Sequence, residues 1–530
     1  MTTGDAAARL ARARAHIAGG DLPAALAEAR AAAQLDASLA EAFAIWGIAA
    51  CETGRFAEAI EPLAIAAQRA PRGSVGWANV TSQLARAQSN VGLWSRAFGA
   101  AADVEAIRPP DPPVRQRIGA AFARVGLIER GLQHLEWAAR ARPDMVEAQH
   151  ELGVAYLSLG RPDEAEAAFE RAVALAPRWA PPHLALASLR RWTPQTAHLD
   201  RLSALLDDPA LDQGDRAGVR FALFKELDDL GRPLEAWANL EAGNAAVAAM
   251  HPWSSEEDRA LVDALIETFP PARFASPPPT TESGEPTPIF VVGLPRSGTT
   301  LVERILAAHP QVMARGETPI FQMEFRAASR APDRRSLTAA TVRGVAAVDW
   351  ARVGAAYRAQ TAYLCEAGAR FAIDKLPANS LVIGAIRLAF PGAPIVLVRR
   401  PAMDTLFGCY RIEFSGLYRW ANALDALADH YEQHQRLMAH WRSCLGDGLI
   451  EVAYEALVTD PEPQIRRMLE ACGLGFEPAC LSPEQAQGAV RTASIAQVRE
   501  PISARGLGGW RRYASQLEPL RADLEARGLL

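Results

Sequence analysis

The rhythm of apolar and polar positions changes near the middle of this chain. The first half is built from Ala-, Leu-, Arg- and Glu-rich phrases that recur. Each phrase opens on a glycine: GDLPAALAEA at Gly20, GRFAEAIEPL at Gly54, GLWSRAFGAA at Gly92, GLIERGLQHL at Gly126 and GRPDEAEAAF at Gly160. The steps between them are 34, 38, 34 and 34 residues. A proline follows 17 residues after each of the last four glycines, at Pro71, Pro109, Pro143 and Pro177. A small residue follows five after each glycine, at Ala25, Ala59, Ala97, Gly131 and Ala165. These marks predict paired helices. Glycine ends the first helix in a tight turn, the small residue lets the second pack closely, and proline closes it. GRPLEAWANL at Gly231 reads as a late, degenerate copy, and RRWTPQTAHLDRL ahead of it as an irregular joint.

The second half is punctuated differently. Apolar, β-branched runs at PIFVVGL, RFAIDKL, PIVLVRR and GLIEVAYEAL alternate with helix-like segments at TTLVERILAAH, at ANSLVIGAIRLAF and from Tyr418 to Cys444. Strands alternating with helices predict a parallel sheet covered on both faces. Between the halves, FPPARFASPPPTTESGEPTP reads as a stiff proline-rich linker. The fold class expected is therefore α plus α/β. Residues 1–245 form the helical repeat domain, 246–288 connect, and 289–530 form the sheet domain.

Chemistry first appears where PIFVVGL meets TTLVERILAAH. Pro295, Arg296, Ser297 and Gly298 join a buried strand to a helix N-terminus. Such a loop presents backbone N–H groups and the positive end of a helix dipole to a phosphate-like anion. Gly293 and Gly298 have the spacing of a Walker A loop, but Thr299 stands where its lysine belongs. No strand ending in a metal-holding aspartate follows. The cation of the loop is Arg296, so the loop is expected to grip an anion without a metal partner.

Totals narrow the classes. The chain has 530 residues, 49% of them hydrophobic and 22% charged, with a formal net charge of −5. That charge argues against sequence-independent nucleic-acid binding. The first twenty residues lack an apolar signal-peptide core, and no window is apolar enough to span a membrane. Six cysteines, none in a CxxC pair, are too sparse for a disulfide framework or a structural zinc site. A reduced, cytoplasmic protein is expected. His430 and His434 have helical metal-ligand spacing, but no carboxylate motif accompanies them and a packing role is expected.

The 34-residue period with this punctuation resembles the tetratricopeptide repeat. The resemblance implies a curved superhelix whose concave face takes a protein or peptide partner, or a scaffold or oligomerisation arm. GLPRSGTTLVERILAAHPQV resembles the 5′-phosphosulfate loop of sulfotransferases, which use 3′-phosphoadenosine 5′-phosphosulfate (PAPS). It is most similar to the loop of tyrosylprotein sulfotransferases and of bacterial proteins that join such repeats to a sulfotransferase domain. The likeness runs from about Pro288 to Arg521.

What the resemblance implies can be carried over position by position. Arg296, Ser297, Gly298, Thr299 and Thr300 would hold the 5′-phosphosulfate. Glu317 in ARGETPIF matches the catalytic base, and Lys375 in RFAIDKLPANS matches the lysine that stabilises the transferring group. In PIVLVRRPAMDTLFGCYR either Arg399 or Arg400 matches the 3′-phosphate arginine. The serine expected eight residues later is replaced by Phe407 or Gly408, with Thr405 or a backbone N–H as substitutes. Tyr454 matches a nucleotide-contacting tyrosine, and Ser494 a transition-state serine ahead of Pro501. The lysine expected before Trp510 is Gly509, and Arg505, ahead of Arg511 or Arg512, is the preferred replacement. The implied activity is sulfuryl transfer from PAPS to an acceptor hydroxyl, without a metal. A protein or peptide tyrosine presented by the repeats is one acceptor. Two rivals remain: a phosphotransferase with a P-loop, and a repeat scaffold carrying a decayed sulfotransferase fold, to which Gly408 and Gly509 point.

Overall fold

The computed structural model describes residues 3–275, 286–333, 336–365, 368–486 and 501–530. By packing, the chain divides into two compact units, Met1–Leu175 and Ala176–Leu530.

The first unit is five helical hairpins: α1 (Thr3–Ala18) with α2 (Leu22–Leu35), α3 (Ala40–Glu52) with α4 (Phe56–Arg69), α5 (Val75–Asn90) with α6 (Trp94–Ala106), α7 (Pro112–Arg124) with α8 (Ile128–Ala141), and α9 (Val146–Ser158) with α10 (Pro162–Leu175). The phrase-opening glycines make the turns, with φ from 73° at Gly54 to 96° at Gly126. L side chains avoid that region. At Gly131 a Cβ would lie 2.5 Å from the carbonyl oxygen of Gly119, so α7 and α8 meet backbone to backbone. The four extra residues between Gly54 and Gly92 are mostly absorbed by α5, which runs 16 residues where α3 and α7 run 13.

The second unit begins with α11 (Ala180–Leu189), α12 (Leu199–Asp207), α13 (Gln213–Asp229), α14 (Pro233–Met250) and α15 (Ser255–Thr268). Gly231 turns α13 into α14 at φ 71°, the same device as in the repeats. Five strands follow: β1 (Thr287–Gly293), β2 (Val312–Ala314), β3 (Phe371–Lys375), β4 (Ile395–Arg399) and β5 (Ile450–Ala453). They pair in parallel in the order β2-β3-β1-β4-β5. The helices between and after them are α16 (Thr299–Ala307), α17 (Ile320–Ala328), α18 (Ala339–Arg343), α19 (Trp350–Thr361), α20 (Ile383–Ala389), α21 (Ala402–Tyr410), α22 (Leu424–Leu445), α23 (Tyr454–Thr459), α24 (Pro461–Ala471) and α25 (Glu518–Ala526).

Alternation along the strands sorts the core. Ile289, Val291, Ile373 and Val398 pack with Val302, Ile305 and Leu306 of α16 and with Ile465 and Leu469 of α24. Phe290, between them, points the other way into a ring cluster with Phe321, Tyr357 and Phe390. Both faces are thus covered, as a buried parallel sheet requires. The helices before the sheet belong to the same core. Phe221, Trp237 and Leu240 pack with Leu406, Phe407, Tyr410 and Tyr513. The buried Asn244 donates to the Tyr410 carbonyl at 2.9 Å and accepts from Asn422 at 2.8 Å. Repeat-like composition therefore extends to residue 245, while packing groups everything from Ala176 with the sheet. Of the proline-rich linker, residues 276–285 lie outside the described residues. Among the described residues no helix is long and apolar enough to cross a membrane.

Candidate functional site

The central strand β1 ends at Gly293, and the chain turns through Leu294–Ser297 before α16 begins at Thr299. Two positions force that turn. Arg296 takes a left-handed φ of 66°, and Gly298 caps the helix at φ 106°. A Cβ on Gly298 would lie 2.3 Å from Cδ2 of Tyr454. The tyrosine at the end of β5 therefore lies directly on the loop, and only glycine permits it. Ser297 is buried beneath, and among the described residues its Oγ has no hydrogen-bond partner.

A cleft of about 630 Å³ opens above this loop. Arg296, Gly298, Thr299, Thr300, Glu317 and Arg400 are on its wall, as are Tyr454 and Arg505. Of the other expected residues, Ser297 and Lys375 sit below the wall, and Arg399 is off it. Ser494 lies outside the described residues.

The two adjacent arginines diverge because successive residues leave a strand end in different directions. Arg399 is 53% exposed and pairs through Nε with Glu451 at 2.5 Å. Arg400 turns into the cleft, where Nη1 donates to the Arg296 carbonyl at 3.1 Å, Nη2 donates to the Gly506 carbonyl, and the guanidinium stacks on Tyr454 at 4.6 Å. Thr405 donates to the carbonyls of Pro401 and Arg400, at 3.1 and 3.4 Å, within its own turn. Gly408 has a packing reason: a Cβ there would come within 3.0 Å of Arg296 Cβ.

Below the cleft is a group of buried charges. Lys375, at the end of β3, is wholly buried. Its Nζ donates to Glu317 Oε1 at 2.5 Å and lies 3.5 Å from Glu303 Oε2 of α16. Burial by itself lowers the lysine pKa. The two carboxylates outweigh it and hold the ammonium above its ordinary value. Burial raises the Glu303 carboxyl, against the opposing pull of Lys375. Glu317 is 35% exposed and faces the cleft. The preceding residue, Asp374, on β3's other face, is also buried and accepts from Thr318 Oγ1 at 2.7 Å, Tyr357 Oη at 2.8 Å and Asn379 Nδ2 at 3.2 Å. Burial pushes its pKa up to about 6. Through Thr318, Asp374 ties the segment bearing Glu317 to the strand bearing Lys375. The Lys375 N–H to Gly316 carbonyl bond, 3.1 Å, is a second tie.

Positive charge dominates the cleft. Burial, then the charges of Arg411 and Arg400, push the Arg296 guanidinium down to about 10. It stays protonated at neutral pH, and that crowding is relieved when an anion binds. Asp404 of α21, also on the cleft wall, accepts from the Gly508 N–H of the late segment at 2.8 and 3.0 Å. Among the described residues no cluster of three or more His, Cys, Asp or Glu is placed to hold a metal. His430 stacks on Trp420 at 4.1 Å and bonds Asp258 at 2.9 Å, while His434 is buried.

Sequence reasoning missed Glu303, Asp374, Asp404 and Arg411. The first was one polar position in an amphipathic helix. The others lay inside quoted motifs without a stated role.

Residues 288–478 match the sulfotransferase family and residues 146–179 match the tetratricopeptide repeat, so this chain carries a sulfotransferase-family domain behind tetratricopeptide repeats. Three curated relatives align. An uncharacterised protein of Aquifex aeolicus is 30% identical over 341 residues, covering 60% of this chain and 43% of the relative. The nodulation protein NoeE of Sinorhizobium fredii is 30% identical over 222 residues, 36% of this chain and 50% of the relative. A candidate protein-tyrosine sulfotransferase of Caenorhabditis briggsae is 24% identical over 233 residues, 42% of this chain and 80% of the relative. The chain thus spans half or less of the length of the first two.

Proposed function

We propose that the second unit transfers a sulfuryl group from PAPS to an acceptor hydroxyl. The observation that carries this reading is the pairing of an anion loop lacking the Walker lysine with a carboxylate, Glu317, on the wall of the same cleft. The residues present fit the donor. The Arg296–Thr300 loop offers its N–H groups and the unpartnered Ser297 hydroxyl to a 5′-phosphosulfate, and Arg400, Tyr454 and Arg505 line the wall for the nucleotide.

The donor supplies an activated sulfur bonded to a phosphate leaving group. The acceptor oxygen forms a bond to that sulfur, the bond from sulfur to the phosphate oxygen breaks, and adenosine 3′,5′-bisphosphate departs. Glu317 takes the acceptor proton. Lys375, which also contacts Glu303, keeps Glu317 oriented and adds positive charge beneath the transferring sulfuryl group. Ser494 remains the proposed further donor in this role. The tetratricopeptide repeats recruit a protein or peptide acceptor, and a tyrosine hydroxyl is the acceptor proposed, in line with the C. briggsae relative.

Calorimetric titration with adenosine 3′,5′-bisphosphate tests the donor site, with ATP and magnesium as the comparison. Micromolar binding of the bisphosphate, weakened at least tenfold by Arg296→Ala and Arg400→Ala, is expected, on the order of one lost charged hydrogen bond each. Binding of ATP with magnesium and not of the bisphosphate would overturn the reading.

A further inference from the structure

We infer that Arg191, in the irregular joint between α11 and α12, is a binding residue for the phosphate-bearing ligand of the cleft. The inference rests on the donor reading above and extends it to a residue outside the segment that matches the sulfotransferase family.

Arg191 lines the cleft together with Arg296, Arg400 and Gly509. Its presentation is fixed on both sides. The preceding carbonyl, of Arg190, accepts from Lys225 Nζ at 2.9 Å. The following residue, Trp192, is buried. The Trp192 backbone N–H donates to Asp229 at 3.0 Å and its indole N–H donates to the carbonyls of Leu186 and Ala187 at 3.2 and 3.0 Å. Between these anchors Arg191 is exposed, and among the described residues no carboxylate pairs with it. A long side chain on a backbone held this firmly gives up less freedom on meeting a ligand than one on a loose loop.

Within the late segment, the cleft wall carries no side chain at Gly509, and a Cβ there would meet nothing within 4 Å. Arg512 is committed to Asp228 at 2.6 Å, and Arg511 lies over the Trp510 ring at 5.4 Å. Asp228 and Asp229 are neighbours at the end of α13. One holds Arg512 and Tyr513, the other holds Trp192, so the joint and the late segment are drawn to one place. Arg191 reaches the same cleft from the joint between α11 and α12. The charge count agrees. Five arginines line the cleft against two carboxylates, Glu317 and Asp404. Both carboxylates are already engaged, by Lys375 and by the Gly508 N–H. That surplus suits a ligand with two separate anionic groups, as a nucleoside bisphosphate has.

The test is calorimetric titration of the full chain with adenosine 3′,5′-bisphosphate at two salt concentrations. Arg191→Ala is expected to weaken binding about tenfold and to flatten its salt dependence, the effect of one charge-assisted contact. Arg191→Lys is expected to fall between, keeping the charge but not the fork. Arg190→Ala, altering the neighbouring arginine outside the cleft lining, should match the unaltered chain. Arg191→Ala binding within twofold of the unaltered chain overturns the inference and leaves the donor reading standing. No bisphosphate binding by the unaltered chain removes the donor reading and, with it, this one.

Discussion

Lys375→Met should unfold the second unit more readily, and for a reason separable from catalysis. The ammonium is wholly buried, 2.5 Å from Glu317 and 3.5 Å from Glu303. Methionine keeps the bulk and removes the charge. Glu317 retains access to water, but Glu303 is 7% exposed and loses its counter-charge. Breaking a buried pair by removing one partner costs about 3–5 kcal/mol. At 2–4 °C per kcal/mol that lowers the thermal midpoint by roughly 10 °C. Glu303 can escape part of this by taking up a proton. Its pKa already stands above the ordinary value because of burial, and Lys375 is the charge restraining it. The deficit of Lys375→Met should therefore shrink as pH falls from 7.5 to 5. Adding Glu303→Gln should recover most of the midpoint at neutral pH, because an amide needs no counter-charge, while leaving transfer activity low. Thermal unfolding of the full chain, followed through the transition of the second unit, reads all three variants. A neutral-pH midpoint for Lys375→Met within about 2 °C of the unaltered chain would refute the reasoning. So would a double variant no more stable than the single.

Two further outcomes are expected. Gly298→Ala should weaken nucleotide binding about tenfold or more, because its Cβ meets Tyr454 at 2.3 Å and φ 106° strains any L residue by roughly 1–2 kcal/mol; calorimetry with the bisphosphate measures it, and unchanged affinity would mean Tyr454 does not rest on the loop. Burial, then the nearby His430 and Arg442 charges, push His434 down to about 3, so the unfolded chain binds its proton near pH 6.5 and the folded one far lower. Stability should accordingly fall as pH drops below about 6.5, by on the order of a few kcal/mol by pH 4, and His434→Gln should flatten that slope in denaturant titrations across pH.

Legibility in the sequence followed the range of the forces involved. The hairpins were legible because each turn demands a left-handed residue, and glycine at Gly20, Gly54, Gly92, Gly126 and Gly160 is its local signature. Strands β1, β3 and β4 were legible because strands buried on both faces are continuous apolar runs. The three residues of β2 are too few to carry a pattern. In the site, the loop was visible as a contiguous block, whereas the choice between Arg399 and Arg400 depended on Glu451, a partner 52 residues away from the nearer strand end. Gly408 looked like a loss beside the family pattern; the fold shows that it makes room for Arg296. Glu303 and Asp374 matter through contacts that only the sheet brings together.

The core that joins Phe221, Trp237 and Leu240 to Leu406 and Tyr410 bears on how this chain can be cut and recombined. The proline-rich stretch before residue 288 looks like the natural seam, and a fragment starting there would contain the whole segment that matches the sulfotransferase family. It would also carry the faces of Leu406, Phe407 and Tyr410 bare into water and leave the Tyr410 carbonyl without Asn244. Such a fragment is set up to aggregate, whereas one starting at Ala176 keeps both sides of that core. A cut that keeps this core whole therefore falls upstream of the linker, at the boundary between the fifth hairpin and Ala176.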